Sequence, residues 1–305
     1  MLEIDLARFS SINHKPLTEL NHLSYMKTKF LSPILMLSAA SILWVGCERD
    51  ERLSQGSNEE EEQVVESAAE SEDASDDALE IVAQTETHLA NTADRAVTTC
   101  ATVSKDADRK QVTIDFGDGC QGPYGRERKG KIIVTYSGAV GDSLANRVIT
   151  FDNYYVNNRS ITGTIELRDV AINEDGNLQS TKKLVDVKVS FPNGEYVILN
   201  GSRTRELISG YADNDPANNV YRITGTLSGQ TTTGRTFTQE ITTPVISNWA
   251  CAANGSFARV SGVVELTTLG GYAARKRLVD YGDGQCDNVV TITTYRRTFT
   301  VTVAD

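Results

Sequence analysis

Residues 131–136, KIIVTY, set the pattern from which the fold of this chain is predicted. β-Branched and aromatic side chains fill this stretch, and Gly130 and Gly138 lie on either side of it. Such composition is typical of a β-strand, because branched and aromatic side chains pack well on a pleated surface. The same signature returns at residues 148–156, 161–170, 185–191, 196–199, 221–227, 235–242 and 289–303.

Polar and apolar residues alternate along several of these stretches, as in YRIT at 221–224 and FTQEI at 237–241. Alternation with a period of two predicts a sheet with one buried face and one wet face. Short turns rich in Asn, Asp and Gly separate the stretches, and no long helical pattern follows Ala96. The sequence therefore predicts an all-β domain at residues 96–305, an antiparallel meander or sandwich-like arrangement.

The segment at residues 26–46 has the pattern of a secretory signal peptide. Two lysines precede an apolar run at 30–45, which is too short to span a bilayer comfortably, and a small residue, Gly46, closes it. Cys47 follows directly, and the stretch resembles the lipobox of lipoproteins, in which this cysteine is diacylated and becomes the mature N-terminus. A plain membrane anchor or an ordinary cleaved signal are the alternatives. Residues 1–25 fit no targeting pattern and are interpreted as an extension of the gene model upstream of Met26.

The segment at residues 47–95 is predicted to be a disordered acidic tether. Between Glu48 and Thr87 there are 15 acidic and two basic residues, whereas the chain as a whole carries a net charge of −11. A stretch with so much charge and few large apolar residues cannot bury enough surface to fold alone. We expect a passive spacer, with a short helix over residues 79–90 as the weaker alternative. Because the acidity belongs to this segment, it does not indicate the partners of the folded part.

Four cysteines remain in the predicted β domain: Cys100, Cys120, Cys251 and Cys286. An even number in an exported protein predicts disulfides, and four cysteines allow three connectivities. The turn DFGDGC at 115–120 resembles DYGDGQC at 280–286, and a lone cysteine lies upstream of each. This internal similarity favours Cys100–Cys120 and Cys251–Cys286. A zinc site is the alternative, but no Cys-x-x-Cys spacing supports it.

The repeated turn also permits a weak calcium hypothesis. Asp115, Asp118, Asp280 and Asp283 are hard oxygen ligands close to glycines. Two or three carboxylates per turn are few beside the roughly six to eight oxygen ligands that calcium takes. Asp-Gly is also a strong hairpin signal. The turn interpretation is therefore preferred, and apart from calcium no cofactor is expected.

Seven short motifs of the chain are distinctive as a set: residues 115–123, 130–133, 151–157, 202–206, 221–226, 280–284 and 286–288. Together they resemble a family of uncharacterised lipoproteins of the Bacteroidota. The resemblance covers most of residues 100–303 and implies a lipoprotein of the outer membrane or cell surface, without implying an activity. In such bacteria an acidic stretch directly after the lipidated cysteine resembles a surface-export signal, and residues 48–51 are compatible with it.

Composition narrows the chemistry that the domain can perform. The three histidines are His14, His22 and His88, so none lies in the predicted β domain. This excludes Ser-His-Asp and Cys-His nucleophile systems there, and His-ligated zinc with them. No Gly-rich phosphate loop precedes a helix, so nucleotide binding lacks support. Two carboxylates facing a cleft, as in glycosidases, stay possible.

Two groups of residues are candidates for binding. Arg203 and Arg205 have the spacing of one sheet face and are candidates for contact with an anionic glycan. Tyr154 and Tyr155 are candidates for sugar stacking. The alternative is protection of strand edges by charge and cross-strand aromatic packing.

The chain is therefore expected to be a non-enzymatic binding or scaffolding module at the cell envelope. Its partners would be the lipid bilayer, through Cys47, and an envelope or extracellular glycan or protein, but not nucleic acid. A carboxylate-based glycan hydrolase and a structural envelope protein are the alternatives. The location would be the outer membrane, on its cell-surface or periplasmic side.

Overall fold

A computed structural model describes residues 49–91, 100–140, 142, 144–210, 215–269 and 274–303. The predicted gene-model extension, the signal peptide and Cys47 lie outside these residues. Within them, helix α1 (Arg49–Asn91) comes first, and α2 (Trp249–Ala253) and two 3-10 turns (Pro123–Gly125 and Pro216–Asn218) are short. The strands are β1 (Thr102–Asp106), β2 (Gln111–Asp115), β3 (Cys120–Gln121), β4 (Glu127–Tyr136), β5 (Arg147–Val156), β6 (Arg159–Ile172), β7 (Leu178–Ser190), β8 (Tyr196–Ser209), β9 (Val220–Thr231), β10 (Thr236–Asn248), β11 (Arg259–Leu269), β12 (Arg275–Asp283), β13 (Val289–Thr293) and β14 (Thr298–Thr302).

All of these strands belong to one 14-stranded antiparallel sheet. Each strand pairs with the next in the chain, except that β2 pairs with β4 while the short β3 pairs with the outer part of β4. The predicted all-β meander is confirmed. A sandwich is not formed by the described residues, because α1, and not a second sheet, packs on the inner face.

The prediction of a disordered tether at residues 47–95 is wrong for the part that the structure describes. Residues 49–91 form α1, and one compact unit extends from Glu48 to Asp305. The disorder prediction from charge and apolar content fails here because cations of the sheet neutralise the acids of this segment. The segment therefore does not have to fold alone. Its Glu, Ala and Gln residues are good helix formers, and its carboxylates at 72, 76 and 80 repeat every four residues along one side.

The sheet encloses the middle of α1. Every residue from Ala74 to Val82 is buried. Because successive helical residues point about 100° apart, nine consecutive buried residues require neighbours on all sides. Asp76 alone bonds Lys182 on β7 and Arg259 on β11. Those strands are four places apart in the sheet and would lie roughly 19 Å apart if the sheet were flat. The sheet is therefore strongly curled around the helix.

Bulges at glycines accompany this curvature. The register between β4 and β5 shifts at Gly130, and that between β6 and β7 shifts at Gly163. Both glycines have positive φ, at +77° and +98°. A Cβ on Gly163 would lie 2.3 Å from the carbonyl oxygen of Asp186, so the neighbouring backbone leaves room for hydrogen only. Bulges of this kind bend a strand and increase its twist.

Both disulfides have the predicted connectivity. Cys100 bonds Cys120 and Cys251 bonds Cys286, with Cα–Cα distances of 5.8 and 5.2 Å. The second bond ties α2 to the turn that follows β12. Trp249 of α2 is fully buried and its ring centroid lies 5.4 Å from that of Tyr124, so α2 and the 3-10 turn before β4 pack together at one end of the structure. Within the described part of the chain, no helix has the length and apolarity needed to cross a membrane.

A Glu-specific protease distinguishes an enclosed helix from a tether. We expect no cleavage after Glu72 or Glu80 in the native chain, because both residues are buried inside the sheet. Mass spectrometry of the digest measures this, and the same digest in urea provides the control in which both bonds are cut. Rapid native cleavage at either bond would restore the tether interpretation.

Candidate functional site

The charged interior between α1 and the sheet is the most distinctive site of the molecule. Eight Arg and Lys side chains form ion pairs with acids of α1, and together they come from both ends and the middle of the sheet. These cations are Arg126, Arg128, Arg147, Arg159, Lys182, Arg203, Arg259 and Arg297. Alternation along the strands directs the buried ones inward.

Asp77 is one of the fully buried acids of this interior. Nε and Nη2 of Arg128 donate to its two carboxylate oxygens at 2.9 and 2.5 Å, and Arg126 Nη1 donates at 3.1 Å. The side chains of Asp77 and Arg128 are both fully buried. Burial alone would raise the pKa of Asp77, but Arg128 and Arg126 more than offset it and hold the pKa below its usual range. Arg126 also pairs with Asp73 at 2.9 Å, so two acids share two cations.

Glu72 and Asp76, which lie one helical turn apart on the N-terminal side of Asp77, join three strands. Arg203 Nε on β8 donates to Glu72 at 3.1 Å, and Arg259 on β11 donates to both acids, at 3.2 and 2.8 Å. Lys182 Nζ on β7 donates to Asp76 at 2.6 Å. Burial would raise the pKa of Asp76, but Lys182 and Arg259 hold it well below its usual range.

Glu80 is the exception among the buried acids. The hydroxyl of Tyr124 and the amide of Gln84 donate to its Oε1 at 3.1 and 3.3 Å. Its Oε2 has no hydrogen-bond partner among the described residues. Burial raises the pKa of Glu80 to about 8, and the attraction of Arg205 offsets that only in part. Glu80 is therefore protonated at neutral pH.

The ion pairs along α1 form a series that we call the ion-pair ladder, and Glu86 is its most C-terminal acid. Arg147 on β5 donates to both of its carboxylate oxygens, through Nε and, at 2.8 Å, through Nη2. The hydroxyl of Tyr136 donates to Oε1 at 2.9 Å. Acids of α1 are thus engaged from Glu62 to Glu86, over more than six helical turns.

The prediction of an exposed binding face is wrong, because three of its four residues are buried. Arg203, Arg205 and Tyr154 are 2, 6 and 1 % exposed and point into the interior, because the face that they share is covered by α1. Tyr155 is half-buried on the other face, where Lys129 Nζ lies 4.1 Å from its ring centroid. The structure therefore separates Tyr155 from the other three. Sequence spacing identified the shared face of Arg203 and Arg205 correctly, but not what covers it.

The two Asp-Gly turns have the same local structure. Asp115 Oδ1 accepts from the amide of Gly117, and Asp280 Oδ1 accepts from that of Gly282, both at 2.9 Å. Lys131 also pairs with Asp115 at 3.0 Å. Asp118 and Asp283 are exposed at these turns. In the described ranges no three His, Cys, Asp or Glu side chains converge as metal ligands.

A cleft of about 340 Å³ opens beside the N-terminal part of α1, next to the β7–β8 turn. Its walls include Glu66, Glu70, Arg159, Phe191 and Glu195. Arg159 pairs with Glu70 at 3.0 Å, while Glu195 accepts from Gln63 at 2.7 Å. Partial burial raises the pKa of Glu70, and Arg159 only partly offsets it. This is a place where carboxylates line an open cleft.

Comparison with known proteins identifies no relative of this chain. No family model, no curated protein and no solved structure matches it. The functional argument therefore depends on the geometry described above. The resemblance to lipoproteins of the Bacteroidota stays a prediction from the sequence motifs.

Replacement of Asp77 tests the ion-pair ladder. Asp77→Asn leaves Arg128 buried without its counter-charge, and we expect the free energy of unfolding to fall by about 3–5 kcal/mol. Urea unfolding followed by circular dichroism measures this loss. The matched control is Glu265→Gln, which removes a carboxylate paired with the exposed Lys276, and it is expected to cost no more than about 1 kcal/mol. Equal losses in the two variants would contradict the ladder.

Glu80 predicts how stability depends on pH. Its pKa is about 8 in the folded chain and near 4.5 when unperturbed, so between these values the folded state binds more protons than the unfolded state. Stability is therefore lost as pH rises from about 4.5 through 8, at up to about 1.4 kcal/mol per pH unit. Glu80→Gln removes this contribution, so unfolding of the variant and the natural chain should diverge with rising pH. A constant difference between pH 5 and 9 would show that Glu80 is ionised throughout.

Proposed function

We propose that this chain is an exported lipoprotein, held in an outer membrane through an acylated Cys47, and that its folded part is a non-enzymatic binding or scaffolding module. The position of α1 carries the proposal. The helix begins at Arg49, two residues after Cys47, and among its described side chains the buried ones begin at Val64, with residues 74–82 buried without a break. A lipid on Cys47 would therefore be joined to the folded part through a helix that the sheet itself encloses.

This connection differs from a flexible leash. The helical rise from Arg49 to Val64 is only about 22 Å. A disordered chain of about 50 residues would give a root-mean-square reach of roughly 40 Å. The module would thus be kept near the bilayer, and the ion pairs that hold α1 would also transmit any pull on the anchor to many strands at once. Such an arrangement favours a scaffold or a receptor presented close to the membrane.

The carboxylates of the interior support a structural use. Asp76 and Asp77 are held charged by cations that are themselves buried, and Glu72 is bound by two guanidinium groups. These acids are committed to holding the helix and are not presented to a substrate. Catalysis by general acid and base requires groups within hydrogen-bond reach of a bound substrate.

The second candidate is a carboxylate-based glycan hydrolase, and the cleft of about 340 Å³ is the observation that favours it. Glu70, with its raised pKa, is suited to the acid, and Glu66 and Glu195 line the same space. Hydrolysis of a polysaccharide from a defined panel that is lost in Glu70→Gln, with folding intact, would favour this candidate over the first.

Anchoring is tested by Cys47→Ala in the native bacterium. We expect the natural chain to incorporate labelled palmitate and to partition with the outer membrane and the detergent phase. The variant should lose the label and appear in soluble fractions, because the acyl chain is its only proposed anchor. Lys276→Met, an exposed change far along the sequence from Cys47, serves as the control and should behave like the natural chain.

Retention of the Cys47→Ala variant in the membrane fraction, unlabelled, would reject the lipid anchor. Protease treatment of intact cells then distinguishes the two faces for the natural chain. Loss of the folded part would mean exposure at the cell surface and a search for extracellular partners. Survival until the outer membrane is broken would mean a periplasmic location and a role in envelope structure.

A further inference from the structure

A small cavity lies between α1 and strands β7 to β12, separate from the cleft described above. Its volume is about 10 Å³, which is room for roughly one water molecule or one small ion. Apolar side chains such as Ile223, Val245 and Val264 form part of the wall. The charged residues that line it are Glu72, Asp76, Lys182, Arg203, Arg205 and Arg259.

Two guanidinium groups in this wall have N–H donors without an acceptor in the described part of the chain. Arg203 Nε and Nη1 are bonded to Glu72 and to backbone carbonyls, but Nη2 has no hydrogen-bond partner among the described residues. Arg205 Nε likewise has none within the described ranges. Arg205 stacks on Tyr221, with its guanidinium carbon 4.1 Å from the ring centroid. A buried charged donor without an acceptor costs free energy, so an acceptor at this place is strongly favoured.

The charges around the cavity do not balance. Four cations line it against two carboxylates, and those two carboxylates are already bound by Lys182, Arg203 and Arg259. No carboxylate of the described residues forms an ion pair with Arg205. Two buried acids are electrostatically coupled to it. Asp76 is already bound by Lys182 and Arg259, and Glu80 holds a proton at neutral pH because burial raises its pKa to about 8. A water molecule would accept the two hydrogen bonds but would leave the excess positive charge uncompensated.

We propose that this cavity binds one small monatomic anion, of the size and charge of chloride, between Nη2 of Arg203 and Nε of Arg205. The anion accepts both free hydrogen bonds and supplies the missing negative charge. Space for about one small particle excludes sulfate, phosphate and sugar ligands from this cavity. The inference does not depend on lipidation or on the proposed membrane location.

The test is thermal unfolding of the full folded chain at fixed ionic strength, with sodium chloride exchanged stepwise for sodium gluconate, whose anion is too large for the cavity. A ligand that binds only the folded state raises the melting temperature as its concentration grows. We expect a rise of about 5 °C from chloride-free to saturating chloride. Bromide should act like chloride.

Two variants separate site binding from general salt effects. Arg205→Met removes one donor and one positive charge while keeping a long side chain, and it should abolish the chloride-dependent rise while remaining folded in gluconate. Lys276→Met, an exposed lysine outside the cavity, should keep the full rise. If the rise is the same in the natural chain and in Arg205→Met, the proposal is wrong.

Crystals grown in sodium bromide give a second readout that does not depend on stability. An anomalous peak within hydrogen-bond distance of Arg203 Nη2 and Arg205 Nε would support the proposal. A map with ordinary water density and no anomalous signal there would overturn it, leaving a buried water only. The bromide crystals test the proposal even if Arg205→Met fails to fold, because they contain the natural chain.

Discussion

Mutual neutralisation of the carboxylates of α1 and the cations on the inner face of the sheet is the constraint on which this structure depends. Neither half can keep its present form alone. A helix with acids on several sides repels itself, and an inner face that buries cations such as Arg128, Lys182 and Arg259 cannot shed water without partners. Removing two opposite charges from water together is tolerable only when geometry and hydrogen bonding are good. The bidentate contact of Arg128 with Asp77 meets that condition.

The same constraint explains which parts of the fold could be predicted from the sequence. Strand alternation, turn chemistry and the paired cysteines are local signals, and they predicted the meander and both disulfides. The helix was missed because its stabilising partners are remote in sequence: Asp77 meets Arg128 51 residues later, and Asp76 meets Arg259 after 183. Local composition shows the electrostatic repulsion among the acids of α1, but it does not show their attraction to the cations of the sheet. The four-residue repeat of the acids was the available signal.

The burial of charged residues on the strands also could not be predicted from the sequence. Arg203 and Arg205 were correctly placed on one face by their spacing, but alternation does not reveal whether a polar face is wet or covered. A charged side chain on a strand normally indicates solvent. Here that rule fails at Lys182 and Arg203, which are 1 and 2 % exposed. Three strands, β1, β3 and β11, were also missed. Charged residues interrupt the apolar pattern in β1 and β11, and β3 has only two residues.

Charge and packing both oppose a slip of α1 along the sheet. A slip by four residues would move Glu72 to the place of Asp76 and Asp73 to that of Asp77, but it would put Ala68 and Ala69 where Glu72 and Asp73 now lie, so Arg203 would lose its carboxylate. Packing distinguishes these states, because the same slip would put Ala78 at the place of Val82 or Val82 at that of Ala78, according to its direction. Both positions are almost fully buried in a close-packed interior, where an added or lost pair of methyl groups is felt as overpacking or as a cavity. The ion pairs and the apolar side chains therefore select the same register of the helix inside the sheet.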